Sequence, residues 1–175
     1  SVKTINADAT GLTTRATGTD PTWSPDGTKI AYISGGDLFI TGVTPALVTS
    51  GISQPAWSPD GSKIAYVQGG DVKVVTVQGG ATTNLTNSGA TDTSPTWSPD
   101  GAKIAFTSNR DGNVELYSMN PDGSAQMRVT STAADEASPS WSPDGTKIAF
   151  SSDRDGRSRY FATARTVIGR YGGTV

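Results

Sequence analysis

Four aspartates recur at matching places in this 175-residue chain: Asp26, Asp60, Asp100 and Asp144 each follow Trp-Ser-Pro and precede Gly. Carboxylates repeated in this way could gather a metal ion or work as paired acid and base. Inside a Ser-Pro-Asp-Gly turn, however, an aspartate side chain bonds to nearby backbone N–H groups, so each is expected to cap its own turn. The tryptophans of the same motif, Trp23, Trp57, Trp97 and Trp141, could stack on sugars or peptides. Their fixed place in an internal repeat predicts instead that each packs between neighbouring units, with its indole N–H bonded locally. Gly27, Gly61, Gly101 and Gly145 complete the structural set by supplying the left-handed turn position. The lysines after the turns, Lys29, Lys63, Lys103 and Lys147, are read as solvated on an outward face.

A second constellation, Asn109-x-Asp111-Gly112-Asn113-x-Glu115, looks like part of a calcium loop, and Asp153-x-Asp155-Gly156 repeats half of it. Oxygen ligands at alternate positions around a Gly turn are what calcium needs. The full twelve-residue spacing is absent, and the same residues make an ordinary hairpin turn. Asn109, Asp111, Asn113 and Glu115 are therefore a calcium candidate only, and no metal or other cofactor is assigned. The run Arg154, Arg157, Arg159, Arg165 and Arg170 is the one charge asymmetry. It could bind an anionic partner, or it could protect an edge strand from pairing. Asn84-Leu85-Thr86 fits a glycosylation acceptor but falls in an expected outer strand.

Much chemistry is excluded outright. The chain has no His and no Cys, which removes disulfides, thiolate nucleophiles and His-dependent acid–base schemes. No Gly-x-Ser-x-Gly elbow, P-loop or dinucleotide glycine pattern is present, and no enzyme is expected. A net charge of −2 gives no general attraction to nucleic acid or an anionic membrane. No apolar run reaches transmembrane length, and no signal peptide is visible. The chain starts without Met and in mid-pattern, as a removed leader or a trimmed sequence would leave it.

The elements that must hold these residues follow from the repeat. Its spacing of roughly 40 residues is that of arrays with one propeller blade per unit. A hydrophobic content of 34%, with 21 glycines and 10 prolines, suits short strands joined by many tight turns. In the third unit, 94–97, 103–108, 114–119 and 126–130 read as strands. Ser98-Pro99-Asp100-Gly101, Asn109-Arg110-Asp111-Gly112 and Asn120-Pro121-Asp122-Gly123 are the turns between them. Such a four-stranded antiparallel meander is one blade of a β-propeller. The first two units compress the second turn to Gly35-Gly36 and Gly69-Gly70. The expected fold is all-β, with four blade units. A half blade spans 1–16, blades start near 20, 54 and 94, and a second half blade starts near 138. Residues 165–175 form a divergent tail.

The frame Pro95-Thr-Trp-Ser-Pro-Asp-Gly-Ala-Lys-Ile-Ala-Phe, with Ser108-Asn-Arg-Asp-Gly112 after it, resembles the TolB-type propeller repeat, and the match runs to about Ala164. The first two units lack the Arg-Asp-Gly turn. The resemblance implies a six-bladed ring in the bacterial periplasm, or outside the cell, that serves as a protein-binding platform. Related repeats also form the gating propellers of some serine peptidases. Blades that prefer a six-fold angle would leave four of them as an open arc, and strand exchange between identical chains could cover the open edges. Three chains filling two six-bladed rings is the favoured assembly, two chains in one eight-bladed ring the competing one, and a four-bladed monomer closed by its own ends the simplest. The remaining alternatives are a propeller that binds carbohydrate or another small ligand between blades, and an accessory propeller detached from a peptidase.

Overall fold

The computed structural model describes residues 1–154, apart from the side chains at 44 and 45, and the backbone of 159–164. The described elements are all strands. β1 (Val2–Thr4) and β2 (Thr13–Ala16) form a two-stranded sheet. Three antiparallel four-stranded meanders follow. The first joins β3 (Thr19–Trp23), β4 (Ile30–Ser34), β5 (Asp37–Ile40) and β6 (Val43–Val48). The second joins β7 (Ile52–Trp57), β8 (Lys63–Gln68), β9 (Asp71–Thr76) and β10 (Thr82–Asn84). The third joins β11 (Asp92–Trp97), β12 (Ile104–Ser108), β13 (Glu115–Met119) and β14 (Met127–Arg128). A three-stranded sheet of β15 (Glu136–Trp141), β16 (Lys147–Ser152) and β17 (Arg159–Ala164) ends the series.

The first strand of each larger sheet packs beside the first strand of the next, β3 by β7, β7 by β11 and β11 by β15. Every one of these inner strands carries a proline: Pro21, Pro55, Pro95 or Pro139. Proline cannot donate to a ladder and survives in a strand only at an edge or a bulge. Both conditions hold here. Each inner strand is bonded on one side only, and its register breaks around the proline. The residue before it, Asp20, Gln54, Ser94 or Ser138, takes a positive φ of 49–54°. Four copies of one bulge thus aim four tryptophans alike.

The core lies between neighbouring sheets rather than within any one of them. Ala31, Ile33, Leu38 and Ile40 of the first meander meet Ile52, Ile64, Tyr66 and Val75 of the second. Ala65, Val72, Val74 and Leu85 meet Trp97, Ile104, Phe106, Tyr117 and Met119. Ala105 and Leu116 meet Ile148 and Phe150. The middle layers are accordingly covered on both faces, and every residue of β12 and β13 is buried. β16 instead alternates, with Ile148 and Phe150 buried and Lys147 and Ala149 exposed. That alternation marks a sheet packed on one face.

The terminal sheets refine the sequence reading. The last unit begins at Glu136 and has a third strand, β17, on the edge of β16. β1 is bonded to β2 alone, so the two ends of the chain form separate sheets. Of the arginine run, Arg157, Arg165 and Arg170 lie outside the described residues, and only the backbone of Arg159 is described.

Candidate functional site

Each Ser-Pro-Asp-Gly turn is closed by its own polar groups. Ser58 Oγ donates to Asp60 Oδ1 at 2.6 Å and accepts the Lys63 N–H at 2.9 Å. Asp60 Oδ1 accepts the Ser62 N–H at 3.0 Å, and Gly61 N–H reaches Ser58 O at 2.9 Å. The same set recurs around Asp26, Asp100 and Asp144. The glycines sit at φ 67–70°, where any other residue would be strained. Hydrogen bonds from Ser24, Ser58 and Ser142, then from residues 28, 62 and 146, hold the Asp26, Asp60 and Asp144 carboxyls down at about 2. Carboxylates tied down this way serve poorly as proton acceptors.

The tryptophans join sheet to sheet. Trp57 Nε1 donates to Thr22 O at 3.1 Å, Trp97 Nε1 to Ala56 O at 3.1 Å, and Trp141 Nε1 to Thr96 O at 3.3 Å. Each acceptor is the residue just before the previous tryptophan. Trp23 departs from the packing expected for all four. It is 53% exposed, against 9% for Trp97, because among the described residues no inner strand packs on that side of β3.

On the opposite edge of the sheets lies a set of buried acid–arginine pairs. Asp92, fully buried, binds Arg110 Nη2 at 3.0 Å, and the guanidinium lies over Tyr117 and Phe106 at 4.7 and 5.3 Å. Glu136 binds Arg154 at 3.1 Å, with Arg154 over Phe150. Burial pushes the Asp92 carboxyl up, but hydrogen bonds from Ser108, Thr86, Arg110 and Ser88 outweigh it and leave the group below its usual range. Glu115 behaves likewise. Burial is outweighed by Thr130, the Thr132 N–H, Arg128 and Asn113. Thr132 bridges the two glutamates, donating its N–H to Glu115 and its hydroxyl to Glu136.

The calcium candidate residues are drawn into these contacts. Asn109 Oδ1 accepts the Thr91 N–H, and Asp111 Oδ2 takes the Tyr117 hydroxyl. The Asn113 amide nitrogen points at Thr132 O and Ala134 O, and Glu115 Oε1 holds Arg128. Among the described residues no group of three or more His, Cys, Asp or Glu is placed to hold a metal ion. Two shallow clefts run between turns on the other edge. One of 840 Å³ lies between the first two meanders and one of 490 Å³ between the second and third, and Asp60 and Lys63 line both.

The family model of the TolB beta propeller domain matches residues 42–167. The chain belongs to the TolB β-propeller family. Its fold is similar to a putative TolB from Agrobacterium tumefaciens, with a TM-score of 0.72 and 26% identity over 81% of this chain and 57% of that one. It is also similar to TolB from Acinetobacter baumannii, with a TM-score of 0.78 and 24% identity over 93% of this chain and 45% of that one. A Mycobacterium tuberculosis puromycin-hydrolyzing peptidase shares the fold at 18% identity and a TM-score of 0.67, over 83% of this chain and 29% of that one. This TolB-family chain spans about half the length of the TolB structures it matches. A search of the curated proteins returned no match.

The acid–arginine pairs are the polar feature that motif reading passed over. A signal was present. The acid stands five residues before Trp97 and Trp141, in the two units with an Arg-Asp-Gly turn. The same position holds Gly18 and Ile52 in the two units with a Gly-Gly turn.

Proposed function

We propose that the protein is a non-catalytic β-propeller module that acts as a protein-interaction scaffold and associates with copies of itself. The observation that carries this reading is the commitment of its recurring polar groups to structure. Serine and aspartate close turns, the indoles of three tryptophans tie sheets together, and buried carboxylates hold arginines. Membership of the TolB family supports a partner protein docking on a ring face or in the central channel, and a periplasmic or extracellular place of work. A net charge of −2 gives no general attraction to nucleic acid, and neither nucleic-acid binding nor membrane insertion is proposed.

Self-association finds support in the end sheets, where Trp23 of the first meander and Ala149 of the last sheet are exposed while their counterparts Trp97 and Ala105 are buried. Three chains filling two six-bladed rings accords with the six-bladed resemblance. Two chains closing one eight-bladed ring keeps all sheet-to-sheet contacts of each chain intact. Light scattering across a concentration series tests the reading. A mass two or three times that of the 18.0 kDa chain supports it, and a single-chain mass at every concentration removes it. The clefts between turns favour a second reading, a propeller that binds a small polar ligand such as a sugar. Binding on a glycan array that free sugar competes away would move the assignment there.

A further inference from the structure

We infer that the open face of the first meander is the docking site for the open face of the last sheet in a second copy of the chain, packed as one further blade-to-blade contact. The inference rests on the self-association reading above and names its interface. Three contacts recur at each of the three boundaries between the larger sheets. The tryptophan of each sheet donates its indole N–H to the preceding inner strand. Trp57, Trp97 and Trp141 also share a hydrophobic cluster with Ala31, Ala65 and Ala105 of the preceding sheet. The glycine of each turn faces the proline of the preceding turn: a Cβ at Gly61, Gly101 or Gly145 would lie 3.8, 3.4 or 3.6 Å from Pro25, Pro59 or Pro99.

Among the described residues, the knobs are exposed on the first meander and the sockets on the last sheet. At the first meander Trp23 is 53% exposed and Gly27 has nothing within 4 Å. At the last sheet Ala149 is exposed, whereas Ala31, Ala65 and Ala105 are fully buried. Carried on by one step, the repeat places Trp23 on Ala149 of a second copy, its indole N–H on Ser140 O of that copy, and Gly27 under Pro143 of that copy. The interface is head-to-tail, the kind that closes into a ring when the rotation allows.

The β1–β2 sheet fits the same step. Asn6 N–H bonds Thr10 O, Asn6 Nδ2 bonds Thr10 Oγ1, and Thr10 N–H bonds Asp8 Oδ1. Asn120, Ser124 and Asp122 make the same three bonds between β13 and β14. β1 and β2 therefore have the form of the third and fourth strands of a blade, and β15 and β16 have the form of its first two. β1 takes the edge of β16 that β17 holds in the single chain, in the register of Ile104 opposite Met119. This sets Ile5, 56% exposed, opposite Ile148, as Met119 is buried opposite Ile104. It also sets Lys147 against Asn6, as Lys103 Nζ donates to Asn120 Oδ1 at 2.7 Å.

The chain has no cysteine, so single cysteines report cleanly. Two differently tagged full-length chains, one Asn6→Cys and one Lys147→Cys, are mixed and oxidised. Both sites are exposed in the single chain, so neither change should disturb folding. The expected product is a covalent dimer carrying both tags, in clear excess over same-tag dimers. Trp23→Ala is expected to weaken association by roughly tenfold or more, as loss of a central aromatic anchor does, while the melting temperature of the dilute single chain stays unchanged. A mass above one chain with no mixed dimer, or with Trp23→Ala associating normally, would overturn this interface and leave self-association standing. A single-chain mass would end both readings. A disulfide forming within one chain of the Asn6→Cys/Lys147→Cys double variant would show self-closure and refute the second copy.

Discussion

Ser58 is 3% exposed and lies within hydrogen-bond reach of Asp60, Lys63 N–H and Lys63 O through a single hydroxyl. Replacing it by alanine strips a buried N–H and a carboxylate of their partner, and should cost about 1–3 kcal/mol in denaturant unfolding. An unchanged midpoint would contradict the role given to it. The aspartates it represents make a pH prediction. Their carboxyls titrate lower in the folded chain, about 2 for Asp26, Asp60 and Asp144, than the ordinary 3.8. The unfolded chain therefore binds protons first as pH falls. Their contribution is complete above about pH 4 and fades toward pH 2. The melting temperature should drop across that window, and Asp60→Asn should flatten the drop. The Asp92–Arg110 pair belongs to the same scale. Arg110→Ala leaves a buried carboxylate unpaired and should cost about 3 kcal/mol, while adding Asp92→Ala to it should recover part of the loss in a double-mutant cycle.

Blade elements were legible because their signals are local. A Ser-Pro-Asp-Gly or Gly-Gly turn dictates its own hairpin, so strand order and most strand positions in 94–130 could be read from turn chemistry alone. The pairing of Asp92 with Arg110 was not legible in that way, since it needs the register that sets Asp92 opposite Ser108. Nor does periodicity reveal that Trp23 and Trp97, identical in context, differ in burial. That difference depends on which sheet stands beside them. Substitution makes it measurable. Trp97→Phe deletes the bond to Ala56 O and should destabilise by about 1 kcal/mol, whereas Trp23→Phe in dilute protein should change little. Equal losses at both sites would mean that Trp23 is packed within the single chain.

At the scale of the whole molecule, the core lies at the boundaries between the larger sheets, which repeat the same chemistry, while Trp23 on the first meander and Ala149 on the last sheet are exposed. This is the logic of stacked repeats, in which a terminal unit presents the face that its neighbours bury. The family and the all-β architecture could be read from four copies of one pentapeptide. The unmatched pair of faces emerged only when tryptophan, alanine, glycine and proline were placed in three dimensions. Hydrogen exchange of the four indole N–H groups, followed by NMR as concentration rises, tests this most directly. Three indoles, from Trp57, Trp97 and Trp141, should be protected at all concentrations, and a fourth, from Trp23, should become protected as the chains associate. A Trp23 indole that exchanges freely in the associated state would contradict it.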